Sequence, residues 1–274
     1  MKRENNTVYV GTISFGKDST VMNDLLLKNG YPMDEIIFTN TYKEFDDMYS
    51  YGLKVNNYFK SRYNKEITFL NPLATFEEWC FGVIKDKTAE GFGAIRGIPL
   101  PSDNETMCFH RRETKVKPID SYLNKKYPNM KIVKYIGYTK GEGRNIKDTE
   151  NLKHIYPLKN IFKMNEERCK EYLIHQDMEN PLYRFFSRTG CYLCPFQSEK
   201  SMYQLYKYFN KYWEKMKWIE KILKDYEDMG FKVMNRYFFV NKRTCEDMEK
   251  IFKIRENELF DFSDEPLKDC FCKI

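Results

Sequence analysis

The 274-residue chain lacks several features that each mark a class of proteins. It has no run of about 18 apolar residues, so the sequence predicts no helix that spans a membrane. The segment Met1–Asn6 lacks the apolar core of a signal peptide, so we expect a cytoplasmic protein. The net charge of +6 is a mild excess spread over many lysines, which is weak evidence for nucleic-acid binding.

Two common nucleotide-binding motifs, the P-loop and the dinucleotide GxGxxG, are also missing. In their place a hydrophobic strand, Val8–Ile13, leads through the small residues of Ser14–Thr20 into an amphipathic helix that ends at Gly30. Such a turn leaves backbone N–H groups unpaired at the positive end of the helix, which suits phosphate or sulfate. The alternative is an ordinary turn in which Ser14 and Asp18 only cap the helix.

Further hydrophobic segments predict the fold. Ile36–Thr39, Ile67–Leu70 and Lys131–Ile136 read as strands, and a helix is expected over about 46–63. The β-α-β-α-β succession implies a mostly parallel sheet in an α/β fold, with right-handed crossovers and helices on both faces. Ligands of such sheets lie outside the carboxyl ends of the strands, so we expect the first strand ends to face one crevice.

The C-terminal part is predicted to be mainly helical. From Pro195 to Gly230 apolar residues recur with spacings of three and four, which predicts one long helix. A strand over 232–240 and a helix over 245–254 follow. We therefore predict a nucleotide-binding domain over 1–190 and a helical subdomain over 191–274.

Eight cysteines in a chain with no export signal favour thiols or metal ligands over disulfides. Cys191 and Cys194 form a Cys-x-x-Cys, which places two thiolates on one tight turn. The motif alone fits zinc, an iron–sulfur cluster or a redox dithiol. The following Pro195 is typical of ferredoxin-type ligands and favours iron and sulfur. Cys80 is interpreted as a core thiol.

The Ser-Phe-Gly-Lys-Asp-Ser-Thr loop resembles the pyrophosphate (PP) loop of the adenine-nucleotide α-hydrolase superfamily. Its Phe15 is similar to the phosphoadenosine phosphosulfate (PAPS) reductase branch. Where reductases carry Asp-Thr-Gly and Glu-Phe-Pro-Glu after the second strand, this chain has Asn40-Thr41-Tyr42 and Glu44-Phe45-Asp46-Asp47. The resemblance implies a Rossmann-like (HUP-type) fold that binds ATP or PAPS.

Two later segments extend the resemblance. Cys108 to Pro118 is similar to a Cys-x6-Lys-x2-Pro segment whose basic residue reaches nucleotide phosphates, and a Gly, an acidic residue and an Arg follow the fourth strand. The nucleotide-binding residues that the resemblance implies are Ser14, Phe15, Gly16, Lys17, Asp18, Ser19, Thr20, Thr39, Asn40, Thr41, Arg111, Lys115, Gly137, Glu142 and Arg144.

The resemblance also implies a metal site. Cys108 lies where relatives carry a third cysteine, so it joins Cys191 and Cys194 as a ligand of a [4Fe-4S] cluster or zinc. His110, Cys80, Cys169 and a substrate atom at an open iron are the candidates for the fourth ligand. An open iron could hold sulfide for transfer, whereas a closed zinc site would be structural.

The C-terminal residues resemble part of a reductase motif. Sulfonucleotide reductases carry a mobile Glu-Cys-Gly-x-His whose cysteine attacks the sulfate sulfur. This chain ends in Asp269-Cys270 followed by Phe-Cys-Lys-Ile, which keeps the cysteine without the Gly and the His. Cys270 is therefore a candidate nucleophile.

Two enzymatic mechanisms follow from the resemblance. In the preferred one, an acceptor attacks the α-phosphorus of Mg²⁺-bound ATP beside Lys17 and Asp18, pyrophosphate leaves, and sulfur then displaces the adenylate. The alternative is a PAPS or APS reductase in which the Cys270 thiol attacks sulfur and sulfite is released. A third hypothesis is a non-catalytic nucleotide-sensing subunit with a structural zinc. The partners expected are a sulfur-donor protein or thioredoxin, a nucleic-acid acceptor and further copies of the chain, but no membrane.

Overall fold

A five-stranded parallel sheet forms the centre of the computed structural model, which describes residues 2–100, 108–143, 145–258 and 262–263. Its order is β3-β2-β1-β4-β5. The predicted α/β fold is confirmed, although the short, partly polar strand β5 was not predicted. The strands are β1 (Thr7–Thr12), β2 (Glu35–Thr39), β3 (Ile67–Leu70), β4 (Lys131–Tyr135) and β5 (Leu152–Ile155).

Helices cover both faces of this sheet. A π-helical turn over Arg112–Val116 joins two of them, and 3-10 turns lie at Pro181–Arg184 and Val240–Lys242. The helices are α1 (Lys17–Lys28), α2 (Asp46–Tyr63), α3 (Phe76–Phe81), α4 (Phe109–Arg111), α5 (Lys117–Lys126), α6 (Pro157–Asn160), α7 (Glu166–His175), α8 (Glu199–Tyr208), α9 (Asn210–Asp228) and α10 (Cys245–Glu258).

The alternation of side chains along β1 explains the two layers. Val8 and Val10 point to one face, where they pack with Ile119 and Leu123 of α5. Tyr9 points to the other face and belongs to the large cluster that includes α1 and α2. Successive side chains of a strand lie on opposite faces, so a strand that is buried throughout must be covered on both sides.

The single helix predicted from Pro195 to Gly230 is wrong, because α8 and α9 are separate. Phe209, between them, has φ −123° and ψ 42°, outside the helical region. Its ring packs at 5.3 Å from Phe45 and 5.1 Å from Phe186. The burial of this ring in an aromatic cluster outweighs the local helical preference, since tertiary contacts routinely override propensity.

The strand predicted over 232–240 is also wrong. In the described structure this segment forms isolated bridges, such as the one between Val233 and Ile95, but no strand. Its backbone instead follows a loop, with Ile98 N donating to Asn235 O at 2.7 Å. The residue that Val233 pairs with, Ile95, does not belong to a strand of the sheet.

The C-terminal helices share the hydrophobic core of the sheet layer through Phe45, the residue that precedes α2. Phe45 contacts Phe186, Tyr192, Phe209 and Tyr212, and one hydrophobic cluster runs from β1 to α10. The division at residue 190 remains a prediction. Among the described helices, none is both long enough and apolar enough to cross a membrane.

Candidate functional site

The anion loop, Ser14–Ser19, lies at the carboxyl end of β1. The N-cap of α1 is Gly16, which has no side chain, and the capping role considered for Ser14 and Asp18 is not observed. The loop is held by its own residues, since Ser14 N donates to Ser19 Oγ at 3.1 Å and Ser19 Oγ donates to Gly16 O at 3.2 Å. The N-cap residue itself therefore supplies no side-chain acceptor to the start of α1.

Phe15 anchors the anion loop to the core. Its φ of 57° is in the left-handed region, and its ring is fully buried, 4.4 Å from the ring of Phe38. A Cβ at Gly52 would lie 2.6 Å from the Phe15 ring. Helix α2 can therefore pack this closely against Phe15 only because residue 52 is glycine. The side chain predicted to bind nucleotide thus packs in the core.

The loop cavity is the cleft above the anion loop, and it is lined by residues of the loop, of 108–115 and of 183–201. Of the predicted residues, Phe15, Thr20, Thr39, Asn40 and Glu142 do not line it, and Arg144 and Cys270 lie outside the described residues. The cavity brings together Ser14, Gly16, Lys17, Asp18, Ser19, Thr41, Arg111, Lys115, Gly137, Cys108, Cys191 and Cys194.

The end of β4 passes close to the anion loop at Gly137. A Cβ at this position would lie 3.1 Å from both N and Cα of Ser19. The two strand ends, β1 and β4, are neighbours where the strand order reverses, which is the place where α/β sheets bind ligands. Gly137 therefore allows the sheet edge and the anion loop to share one wall of the cavity.

Two lysines of the cavity are held by carboxylates. Lys17 Nζ lies 2.9 Å from Glu166 Oε2 and 5.1 Å above the Tyr183 ring. Burial lowers the pKa of Lys17, but nearby Tyr183, Asp18 and Glu166 outweigh it and raise the pKa above its ordinary value. Lys115 Nζ lies 3.6 Å from a carboxylate oxygen of Glu44. The Lys17 ammonium is therefore charged at neutral pH, and both lysines line the same cavity as the anion loop.

Two arginines of the cavity differ from these lysines. Arg111 and Arg188 line the cavity, and within the described part of the chain neither guanidinium has an ion-pair partner. The Nε of Arg111 is buried and has no hydrogen-bond partner there. The cavity thus contains more positive charge than its own carboxylates neutralise locally, as an anion site requires.

His110 is a buried histidine at the same wall. Its side chain is 3% exposed, and neither Nδ1 nor Nε2 has a hydrogen-bond partner among the described residues. Burial, together with the charges of Lys115 and Lys43, lowers the pKa of His110 to about 3. The imidazole is therefore neutral at physiological pH, with one N–H donor and one acceptor nitrogen.

Three carboxylates meet beside the anion loop. One oxygen each of Asp18, Glu142 and Glu166 lies within 4.8 Å of the others. Glu142 is positioned by Thr139, whose N and Oγ1 donate to it at 3.0 and 3.1 Å. Carboxylate oxygens are the ligands that Mg²⁺ prefers, so this group fits the cation that would accompany nucleotide phosphates.

The three predicted metal-binding cysteines line the loop cavity from two segments. Cys108 Sγ accepts a hydrogen bond from Arg111 N at 3.4 Å, and Cys194 N donates to Cys191 O at 3.2 Å. Among the described residues, the carboxylates of Asp18, Glu142 and Glu166 bring three ligand atoms within 4.8 Å of one another, and the three cysteines do not. Thiolates suit zinc or iron, and these residues would hold such a metal, which remains a prediction.

The other candidate ligands lie apart. Cys80 and Cys169 are fully buried in the hydrophobic cluster and do not line the cavity. Burial raises the pKa of the Cys80 thiol, as expected for a core residue. Of the protein side chains considered as a fourth ligand, only His110 faces the cavity among the described residues.

Part of the chain is similar to a known protein family. Residues 8–82 match the phosphoadenosine phosphosulfate reductase domain. The resemblance to PAPS reductases is confirmed over this part of the chain, which contains the anion loop. A phosphoadenylyl-sulfate (PAPS) reductase from Candida auris, solved as a phosphate complex, is similar over 69% of this chain and 82% of its own, with 18% identity and a TM-score of 0.45. No curated protein matches the chain.

The wall from Asn180 to Thr189, outside the PAPS reductase match, was missed in the sequence. Asn180 Nδ2 donates to Phe15 O at 3.1 Å, and Lys17 N donates to the Tyr183 hydroxyl at 2.8 Å. The same hydroxyl lies 3.3 Å from Thr189 Oγ1. The only signal in the sequence was the position of this segment directly before the Cys-x-x-Cys.

Glu166 was missed as well. It is the first residue of α7, where its neighbour Asn165 accepts from Arg168 N at 2.9 Å as the N-cap. An acidic residue in the first turn of a helix is common and indicates no site by itself. Its contact with Lys17 arises from the packing of α7 on α1.

Proposed function

We propose that the chain binds an adenine sulfonucleotide in the loop cavity and reduces its sulfo group with cysteine thiols. The observation that carries the proposal is the shared cavity: the anion loop and Cys108, Cys191 and Cys194 line it together. The sequence alone favoured ATP, but the match of residues 8–82 to a PAPS reductase domain supports the sulfonucleotide.

Binding of the phosphate follows from the anion loop. The start of α1 provides backbone N–H donors and the positive end of the helix dipole. Lys17 and Lys115 add positive charge at the same wall. Charge-assisted hydrogen bonds of this kind are roughly twice as strong as neutral ones, so we expect the loop to bind the phosphate.

The reaction needs two thiols. A thiolate attacks the sulfur of the sulfo group, an S–S bond forms, and the S–O bond breaks so that the nucleotide leaves with the electron pair on its phosphate. A second thiol attacks the sulfur of the modified cysteine, which releases sulfite and leaves a disulfide. The thiols are oxidised, the sulfate sulfur is reduced, and a dithiol protein such as thioredoxin restores the thiols. The resemblance gives the first attack to Cys270.

A second candidate is ATP-dependent activation coupled to sulfur transfer. The observation in its favour is the group Asp18, Glu142 and Glu166, which fits the Mg²⁺ that ATP phosphates carry. Here the three cavity cysteines would hold an iron–sulfur cluster that supplies sulfur. A sulfur-donor protein and a nucleic-acid or small-molecule acceptor would be the partners.

The test is a paired product assay on protein purified without oxygen. Sulfite is measured after incubation with PAPS or APS and thioredoxin, and pyrophosphate after incubation with Mg²⁺ and ATP. We expect sulfite, its loss in Cys270→Ser, and its retention in the neighbouring control Cys272→Ser. Pyrophosphate release without sulfite would instead support the second candidate, and neither product would contradict both.

A further inference from the structure

We propose that His110 and Arg111 form a second oxyanion subsite in the loop cavity, which takes the sulfo group while the anion loop takes the phosphate. This inference rests on the proposed function. It adds that the two anionic groups of the nucleotide bind at different places in the cavity. The two subsites belong to different segments, since one follows β1 and the other precedes α5.

The first observation is the state of the His110 ring. It is buried at 3% exposure, it lines the cavity, and neither ring nitrogen has a hydrogen-bond partner in the described structure. A buried polar group left without a partner loses its hydration without compensation, so such groups are rare without a functional reason. A ligand oxygen that accepts from the imidazole N–H removes this cost.

The position of His110 is fixed by its own backbone and by one ring contact. His110 N donates to Pro99 O at 3.0 Å, and Thr114 Oγ1 donates to His110 O at 2.7 Å. The ring meets Phe76 edge-on, with centroids 5.1 Å apart. The unpartnered nitrogens are therefore held in place before any ligand binds, which is the property of a preorganised site.

The second observation is Arg111. Its buried Nε has no hydrogen-bond partner and its guanidinium has no ion pair among the described residues, whereas Lys17 and Lys115 each lie near a carboxylate. A guanidinium offers several N–H donors in a planar fork that matches the oxygens of a tetrahedral oxyanion. Arg111 and His110, which are adjacent in the chain, thus both offer N–H donors to an oxyanion.

The third observation is the place of this pair beside a thiol. Arg111 N donates to Cys108 Sγ at 3.4 Å, and Cys191 and Cys194 line the same cavity. A sulfo group bound by His110 and Arg111 would therefore lie in the cavity beside Cys108. Reduction by thiols requires this arrangement, because the sulfur atom and not the phosphorus is attacked.

A binding experiment with two nucleotides tests the subsite. Adenosine 5′-phosphosulfate carries both anionic groups, whereas AMP carries only the phosphate, and calorimetry gives Kd for each. The variants are His110→Phe, which keeps an aromatic ring without nitrogens, and Arg111→Lys, which keeps the charge without the fork. Arg112→Lys is the control on the same turn, because Arg112 Nε pairs with Glu113 at 2.9 Å and does not line the cavity.

We expect His110→Phe and Arg111→Lys each to raise Kd for the phosphosulfate about tenfold or more, with Kd for AMP within about twofold. Lys17→Met, in the anion loop, raises both. The melting temperature of free His110→Phe should not fall, because an apolar ring replaces a polar group without partners. This stability readout also shows that the variant is folded.

Three outcomes would overturn the subsite. Equal weakening of both ligands, or of neither, would show that the pair does not contact the sulfo group. Loss of bound iron or zinc in His110→Phe, with an unchanged ratio of the two Kd values, would make His110 a metal ligand. Wild-type protein that binds AMP but not the phosphosulfate would contradict the proposed function and this inference together.

Discussion

Several buried ionisable side chains of the described residues have an atom without a hydrogen-bond partner, and two of them, His110 and Glu220, lie in different surroundings. His110 lines the loop cavity. Glu220 lies on α9, where its Oε2 accepts from Cys245 N at 2.9 Å and its Oε1 has no hydrogen-bond partner among the described residues. Burial moves both pKa values towards the neutral form, to about 3 for His110 and about 7 for Glu220.

The difference shows how a buried polar group is to be interpreted. The His110 ring, whose nitrogens lack partners, lines a cavity that a ligand can enter. Glu220 lines neither cavity found in the described structure. The first is therefore expected to act in binding and the second in stability. Variants at Glu220 should therefore change stability, and variants in the loop cavity should change affinity.

Glu220→Gln should change the pH dependence of stability. The pKa of Glu220 is about 7 in the folded protein against an ordinary 4.5, so the folded state retains a proton that the unfolded state loses. Its stability contribution is complete below the ordinary value and is lost as pH rises through about 7. The loss amounts to about 3 kcal/mol.

Urea unfolding at about pH 5 and pH 8 measures this effect. We expect the wild type to lose stability between the two pH values and Glu220→Gln to lose much less, with nucleotide affinity unchanged. Glu214→Gln, an exposed site on the same helix, is the control. The same pH slope in Glu220→Gln as in the wild type would contradict the assignment.

Lys17→Met should act on binding. The Lys17 ammonium is buried beside the anion loop, and a charge-assisted contact to phosphate is worth about 1.5–3 kcal/mol. We expect affinity for AMP, measured by calorimetry, to fall about 10- to 100-fold. Lys28→Met, at the exposed far end of α1, should leave Kd within about twofold. Similar losses in both variants would mean that general charge, and not position, matters.

Gly137→Ala tests the close approach of β4 to the anion loop. The new methyl group would lie 3.1 Å from the Ser19 backbone, so the loop must shift. We expect Kd for AMP to rise about tenfold, since misplaced donors lose much of their hydrogen-bond strength. Gly143→Ala, which meets nothing within 4 Å, is the matched control and should bind as the wild type does. Unchanged binding in Gly137→Ala would show that the loop tolerates the shift.

Tyr183→Phe has the smallest expected effect on binding. It removes the hydroxyl that accepts from Lys17 N at 2.8 Å and should lower the free energy of unfolding by about 1 kcal/mol. A bound phosphate can accept from the same N–H, so we expect Kd for AMP not to rise. Thermal melts and calorimetry check both points. A large loss of affinity would instead place the hydroxyl in contact with the nucleotide.

The features that sequence predicted were local ones. The strand, the anion loop and α1 are continuous in the chain, and the pattern of Val8–Thr20 predicted them together. The Glu166–Lys17 contact and the Tyr183 hydrogen bond to the same residue join positions far apart, so no spacing could reveal them. The break at Phe209 likewise depends on rings from other segments.

The most direct test of the sulfo subsite is a crystal structure with bound adenosine phosphosulfate and an anomalous difference map that shows sulfur. It locates the cysteine sulfurs and the substrate sulfur in one map. We expect the phosphate on the anion loop and the sulfo sulfur in contact with His110 and Arg111, near Cys108. A nucleotide bound outside the loop cavity, or with its sulfo group away from every thiol, would contradict it.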